Sequence, residues 1–205
     1  MVVCFKFYVD RTLWVLRCLI LVSILEHMLN AQPKHNITAA LAIDLINNGT
    51  TIVDTYIEGH VEITSEDFTK EITFINCIIE SFTAVGIDFA EHIKFENSHL
   101  KSCQFNFAYF SKGLTIKDCL FDNRLSFAFG GHNQPGYTVS ITKNHFHDYV
   151  DFFDCWFTSE IVVTNNIFSR GTNIESKNQL ITFDIQPIIS NNIGQLDLPE
   201  DNQFT

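Results

Sequence analysis

One pattern of alternating hydrophobic and polar residues occurs three times between Ile72 and Phe121. The three copies are Ile72–Ile79, Ile93–Leu100 and Leu114–Phe121, and their first residues are 21 positions apart. Such alternation over four to eight residues is typical of a β-strand with one buried face. A fixed period of about 20 residues is typical of a solenoid, in which each repeat buries its apolar face against its neighbours. The pattern therefore predicts one strand per repeat, stacked in register as a parallel β-helix.

The aligned copies share several kinds of position. Two columns are apolar (Phe74, Phe95, Ile116 and Ile79, Leu100, Phe121), one is small or a thiol (Cys77, Ser98, Cys119), and one is Asn or Asp (Asn76, Asn97, Asp118). Asn and Asp tolerate the left-handed conformation, so we expect their column to form the corner after each strand. Apolar residues also recur every five positions, as in Phe95, Leu100, Phe105 and Phe110. This spacing predicts a four-sided coil. The residues that recur every five positions point inside, and the small residues lie at the corners.

The five-residue spacing and the abundant phenylalanine resemble the pentapeptide-repeat proteins, particularly the degenerate, exported kind. The resemblance covers residues 72–121 well and residues 139–168 moderately. The chain departs from the family pattern in its extra residue per turn and its few leucines. The resemblance implies an all-β, right-handed parallel β-helix of about 21 residues per coil. A broader β-helix with three faces and an irregular β-sandwich are the alternatives, because sandwich strands also recur every 8–12 residues.

The β-helix domain is predicted over residues 50–205, preceded by a linker and a short capping helix over residues 32–49. Thr38 is a suitable N-cap and Gly49 a suitable residue beyond the C-terminus of this helix. We expect its apolar stripe to cover the first coil, since an open solenoid end templates aggregation. A helix that binds a partner is the alternative.

Regularity breaks after Phe121, where the turn residues of Gly130–Gly136 predict a protruding loop. The pattern resumes at Val139–Phe146. Two further copies, Val150–Phe157 and Ile161–Phe168, follow at intervals of 11 residues. Because this interval is half a repeat, we expect neighbouring copies to occupy different faces of one coil.

An export signal is predicted over residues 1–31. Lys6, Arg11 and Arg17 supply positive charge, Cys18–Leu25 is an unbroken apolar run, and cleavage after Ala31 is expected. The apolar run is too short to span a bilayer. The mature protein is therefore expected to be secreted, periplasmic or at the cell surface. An uncleaved membrane anchor through residues 13–29 and a wrongly assigned start are the alternatives.

The charge and the cysteines narrow the function classes. The 205-residue chain has a formal net charge of −11, which argues against a nucleic-acid partner because phosphate binding needs Lys and Arg.

Cys77 and Cys119 share a column but lie two coils apart, so their Cα atoms are expected to be separated by about 9.6 Å. A disulfide requires Cα atoms within about 7 Å. We therefore expect the cysteines beyond the signal to fill corners as small hydrophobic residues. They are Cys77, Cys103, Cys119 and Cys155.

Three sets of side chains are candidates for chemistry. The richest cluster is His132, His145, His147, Asp148, Asp151 and Asp154, which we expect to form a solvated rim rather than a metal site. The acids with the right chemistry for glycoside hydrolysis are Glu62, Glu71, Glu80, Asp88, Glu91 and Glu96, but the sequence selects no pair of them. The aromatic residues that suit a flat sugar-binding face are Tyr109, Tyr137, Tyr149 and Trp156, although such residues more often pack in cores.

From these patterns we assign no catalytic, metal or cofactor-binding residues and predict no cofactor. The sequence favours a non-enzymatic, acidic, exported β-helix that acts as a structural or binding module. Its predicted partner is a protein or a glycan surface, and copies could also associate end to end. One alternative is a small carbohydrate-active enzyme, which clustered acids with perturbed pKa values would indicate. The other is a DNA-mimicking pentapeptide-repeat protein, which requires a cytoplasmic chain.

Overall fold

The computed structural model describes residues 33–199. The predicted export signal over residues 1–31 and the alternative anchor over residues 13–29 lie outside the described residues. Within residues 33–199, no helix has the length and apolarity needed to cross a membrane.

The described chain is mostly β and forms a solenoid of about six turns with roughly 22 residues per turn, close to the predicted 21. Its strands are numbered in chain order and belong to three sheets. Sheet 1 contains β2 (Ile52–Val53), β5 (Ile72–Ile75), β8 (Ile93–Glu96), β12 (Leu114–Lys117), β15 (Val139–Thr142), β19 (Ile161–Thr164) and β22 (Ile188–Ser190). Sheet 2 contains β1 (His35–Thr38), β3 (Thr55–Glu62), β6 (Ile78–Thr83), β9 (His99–Leu100), β10 (Cys103–Gln104), β13 (Leu120–Phe121), β14 (Leu125–Ser126), β16 (His145–Phe146), β17 (Val150–Asp151) and β20 (Ile167–Phe168). Sheet 3 contains β4 (Asp67–Phe68), β7 (Asp88–Phe89) and β11 (Tyr109–Phe110), and Gly131 bridges it to β18 (Trp156–Phe157) and β21 (Thr182–Phe183).

Each coil passes through the three sheets in turn, and the pairings are parallel. One coil runs from β8 in sheet 1 through β9 and β10 in sheet 2 to β11 in sheet 3, and β12 then stacks on β8. Leu114 pairs with Ile93 and with Val139. The interval between paired residues of sheet 1 therefore lengthens from 21 to 25 residues where the predicted loop is inserted. Val150 lies in sheet 2 and Ile161 in sheet 1. The half-length copies therefore occupy different faces, as predicted.

Left-handed corners end the strands of sheet 1. The predicted corner residues Asn76, Asn97 and Asp118 have φ values of 56°, 50° and 53°. Asp54, Lys143, Asn165 and Asn191 continue the column with φ between 53° and 60°. The corner prediction is confirmed, and Lys143 extends it to a residue type that did not match the pattern.

The interior is filled by stacked phenylalanines. The predicted inward residues Phe95, Leu100, Phe105 and Phe110 are at most 1% exposed. Rings on successive coils stack with centroids 5.2 Å apart for Phe74 and Phe95 and 5.1 Å apart for Phe146 and Phe168. The four cysteines beyond the signal are free and buried, as predicted.

The first coil is covered by a short helix, α1 (Ala39–Asn47). The Thr38 hydroxyl accepts a hydrogen bond from the Leu41 N–H at 3.4 Å, and Gly49 follows the helix with φ of 66°. Ala42 and Ile46 are buried against the core, so the predicted helix is confirmed. The linker prediction was wrong for residues 35–37, which form β1 together with the N-cap residue Thr38. This strand pairs in parallel with β3 and covers an edge that would otherwise be open.

Candidate functional site

The predicted histidine and aspartate cluster does not form one site. His132 lies beside sheet 3, whereas His145 and His147 lie by β16 in sheet 2 with their rings 4.4 Å apart. Within residues 33–199, no group of three or more His, Cys, Asp or Glu side chains is placed to hold a metal ion.

Two members of that cluster are buried, so the solvated-rim expectation was wrong for them. His145 is 9% exposed and its Nε2 lies 2.9 Å from the Ser169 hydroxyl. Burial, aided by the neighbouring His147, lowers its pKa from 6.5 to about 4. Asp151 is 2% exposed and is held by Arg124 at 2.7 Å. The physical reason is packing: both side chains find polar partners between the coils instead of water.

The candidate acids are spread over the three sheets. Glu80 lies in sheet 2, Asp88 in sheet 3 and Glu96 in sheet 1. Tyr56 donates a hydrogen bond to Glu80, as does the Gly59 N–H at 2.8 Å, and Lys101 lies at 3.3 Å. These contacts lower the pKa of Glu80 to about 2.

Glu96 is also held as a carboxylate. Lys94 lies 2.6 Å and Lys117 3.1 Å from its oxygens, and both lower its pKa. A general acid needs the opposite shift, towards a raised pKa. Glu80 and Glu96 are thus held in ion pairs, with Lys101 and Lys117 on neighbouring coils and Lys94 on the same strand, rather than arranged as a catalytic pair.

A group of exposed rings lies on and beside sheet 3, and we call it the aromatic face. Its members are Phe107, Tyr109, Phe129, His132 and Trp156. The exposed fractions of Phe107, Tyr109, Phe129 and Trp156 are 51%, 39%, 37% and 46%. The rings form two rows that cross successive coils. In the first row the Phe107 and Phe129 centroids are 4.6 Å apart and the rings are 7° from parallel. In the second row, the centroid of the His132 ring lies 4.1 Å from that of Tyr109 and 5.5 Å from that of Trp156.

A second left-handed corner turns the first row outward. Phe107 and Phe129 have φ of 59° and 63°. The Phe107 N–H bonds to the Ala128 carbonyl, and the Phe129 N–H to that of Phe153, both at 2.8 Å. Bulky residues rarely adopt this conformation, which costs roughly 1–2 kcal/mol per residue. The backbone therefore holds these two rings outward against their local preference.

A glycine allows the second row to form. Gly131 lies between Tyr109 and Trp156 in the register of sheet 3. Its φ is 106°, and a Cβ there would lie 2.5 Å from the Trp156 carbonyl oxygen. The absence of a side chain lets the coils approach, and the next residue, His132, places its ring between the other two.

Polar groups border the aromatic face. The Trp156 Nε1–H donates to Asp184 at 2.9 Å. Asp88 is the register partner of Tyr109 and accepts from the Ser111 hydroxyl at 3.1 Å. Burial lowers the pKa of His132, which favours a neutral imidazole. The Phe107 and Phe129 rings cover each other's faces, so the aromatic face combines exposed apolar ring surface with carboxylate acceptors.

The predicted sugar-binding residues are only partly brought together. Tyr109 and Trp156 share a row. Tyr137 lies in the inserted loop, where its carbonyl accepts from Asn133. Tyr149 is half-buried before β17, and its hydroxyl donates to the Leu198 carbonyl at 3.1 Å.

Sequence reasoning missed Phe107, Phe129 and His132 as members of the face. Phe107 follows the inward Phe105 by two positions, and simple alternation would bury both. The left-handed corner at Phe107 distinguishes the two residues, because the chain turns there and leaves the Phe107 ring outside the coil while Phe105 points inside.

Comparison of this chain with protein-family models, curated proteins and solved structures finds no match. The likeness to pentapeptide-repeat proteins therefore stays an interpretation of the repeat, whereas the parallel β-solenoid is the observed fold. Since a fold does not establish function, function has to be inferred from the geometry of the surface.

Proposed function

We propose that the protein is a non-catalytic module that binds carbohydrate through its aromatic face. The observation that carries the proposal is the pair of exposed ring rows on successive coils, bordered by Asp88 and Asp184. A sugar unit has apolar C–H groups, which pack against exposed aromatic surface, and hydroxyl groups, which donate to carboxylates. Binding sites for small molecules commonly combine aromatic walls with a few placed polar groups.

The rigidity of the face supports a binding role. Hydrogen bonds hold the backbone of Phe107 and Phe129 at a corner, and the two rings stack on each other with centroids 4.6 Å apart, so less side-chain freedom remains to be lost when a ligand binds. Exposed phenylalanines in a left-handed conformation do not favour folding. Strain of this kind is concentrated at functional sites.

The lowered pKa values of two candidate acids support a non-catalytic function. The pKa of Glu80 and that of Glu96 are lowered by their partners, and these two acids lie on sheets other than sheet 3. The export signal predicted for residues 1–31 agrees with a ligand on a cell surface.

Affinity gel electrophoresis of the full chain tests the proposal. Native gels would contain neutral or acidic polysaccharides, and we expect at least one polysaccharide to retard the protein. The Trp156→Ala and Tyr109→Ala variants should lose this retardation, whereas Tyr137→Ala, an exposed tyrosine outside both rows, should keep it. Circular dichroism of each variant checks that the fold is retained.

Two results would contradict the proposal. One is normal mobility in every polysaccharide gel. The other is equal loss of retardation in Tyr137→Ala and Trp156→Ala. Release of new reducing ends or unsaturated products from the retarding polysaccharide would instead support the enzyme alternative.

A further inference from the structure

Resting on the proposed function, we infer that the ligand is a neutral, linear polysaccharide that lies along the solenoid axis. Three features of the aromatic face favour such a ligand: the direction of the ring rows, the charge around them and the area that they expose.

The direction of the rows favours a linear chain. Tyr109, Gly131 and Trp156 belong to three successive coils. Neighbouring strands are about 4.8 Å apart, so Tyr109 and Trp156 are separated by about 10 Å along the axis. The row formed by Phe107 and Phe129 crosses the coils in the same direction. The exposed ring surface is therefore extended across the coils, where an extended sugar chain contacts several rings at once.

The charge around the rows favours a neutral chain. Asp88 and Asp184 border the second row, and Asp154 follows Phe129 in the corner column with φ of 51°. Within residues 33–199, the cation–π contacts are those of Lys101 with Tyr56 and of Arg124 with Tyr149, and neither tyrosine belongs to the aromatic face. The whole chain carries a net charge of −11. Polymers of uronic acids and nucleic acids need cationic partners, so they are repelled here.

The exposed area is small for a protein partner. Each aromatic side chain has roughly 200 Å² of surface. At exposed fractions of 37–51%, the four exposed rings present about 350 Å² together. A stable protein interface buries about 800 Å² on each partner. The face therefore suits a short run of sugar units better than a protein surface.

Isothermal titration calorimetry of the full chain with oligosaccharides tests the inference. The probes are gluco-, manno- and N-acetylglucosamine oligomers from monosaccharide to hexasaccharide, with oligogalacturonates of matched length as the acidic set. We expect the affinity for one neutral series to rise at least about tenfold from the monosaccharide to the tetrasaccharide. It should then level off once the chain spans the row. Trp156→Ala should remove this dependence on length, and Tyr137→Ala should leave it unchanged.

The outcomes separate the inference from the proposed function. Tighter binding of oligogalacturonates, or equal affinity for a monosaccharide and a hexasaccharide, overturns the inference and leaves carbohydrate binding standing. No binding of any oligosaccharide, together with normal mobility in every polysaccharide gel, overturns both. Length-dependent binding that Trp156→Ala does not alter places the ligand elsewhere and also overturns both.

Discussion

A ladder of asparagine side chains, of which Asn144 and Asn166 are fully buried, joins the last coils, and its disruption is expected to be among the most destabilising single changes. Asn144, Asn166 and Asn192 follow the corners of successive sheet 1 strands. The Asn166 Oδ1 accepts from the backbone N–H and the Nδ2 of Asn144 at 2.9 and 3.0 Å. Its Nδ2 donates to the Ile141 carbonyl at 2.8 Å and to the Asn192 Oδ1 at 3.0 Å. Asn166→Ala removes all four bonds.

The magnitude follows from this geometry. Four hydrogen bonds at about 0.5–1.5 kcal/mol each sum to about 2–6 kcal/mol. Asn166 is fully buried, and the Asn144 N–H would lose its acceptor away from water. We therefore expect the free energy of unfolding to fall by about 3–5 kcal/mol, a large part of the 5–15 kcal/mol of a typical domain.

Equilibrium unfolding in urea measures this loss. Far-ultraviolet circular dichroism and tryptophan fluorescence should be recorded together, because coincident transitions establish the two-state behaviour that a solenoid can lose. Asn166→Ser is the matched variant. Ser98 occupies the same column and its hydroxyl accepts from the Cys77 N–H at 3.1 Å. The serine variant should therefore lose only about half as much stability.

The neighbouring Asn165 provides the control. It is a left-handed corner with φ of 60°, so Asn165→Gly should change stability by less than about 1 kcal/mol. A loss below about 1 kcal/mol for Asn166→Ala would refute the ladder as a stabilising element. So would an equal loss for Asn166→Ser and Asn166→Ala.

Three further predictions concern backbone packing, pH and thiols. Gly113→Ala should lower the free energy of unfolding by about 2–4 kcal/mol in the same urea assay. Gly113 has φ of 84°, and a Cβ there would lie 2.4 Å from the Thr138 carbonyl oxygen. Gly86→Ala, with φ of 71° and open space, should cost only about 1 kcal/mol, and equal costs would contradict the close approach of the coils. Because the folded pKa of Glu80 is about 2 against an ordinary 4.5, its stabilisation is present above pH 4.5 and is lost as the pH falls towards 2. Glu80→Gln should therefore flatten the pH dependence of unfolding in that range, and an unchanged profile would contradict the ion pair. With Cys4 and Cys18 replaced by serine, the native protein should not react with Ellman's reagent until it is unfolded, because burial raises the pKa of every remaining thiol. Rapid reaction of the native protein would contradict this burial.

The fold was predictable because its signals are local and repeated. The strand at Ile93–Glu96 and the corner at Asn97 each follow from a few adjacent residues, and the same signals recur one period later. The capping helix was predictable for the same reason, since Thr38 and Gly49 mark its ends. The strand β1 was not predictable, because its partner β3 lies about 20 residues away and its own sequence is short and largely polar.

The aromatic face was less predictable because it depends on register between coils. Tyr109 and Trp156 lie in one row because Gly131 pairs with both of them, although the intervals along the chain are 22 and 25 residues. Sequence alternation shows which side of a strand a residue occupies, but loop lengths decide which exposed residues lie together. The outward direction of Phe129 depends on a left-handed corner that a bulky residue does not signal.

The central claim is that neutral carbohydrate binds on the aromatic face, and the fluorescence of Trp156 tests it most directly. The chain contains two tryptophans, so Trp14→Phe leaves Trp156 as the single emitter in the full-length protein. Titration with soluble linear glucans, mannans and chitin oligomers should produce a saturable change in its emission for at least one of them. Unchanged emission with all of these probes would contradict the account.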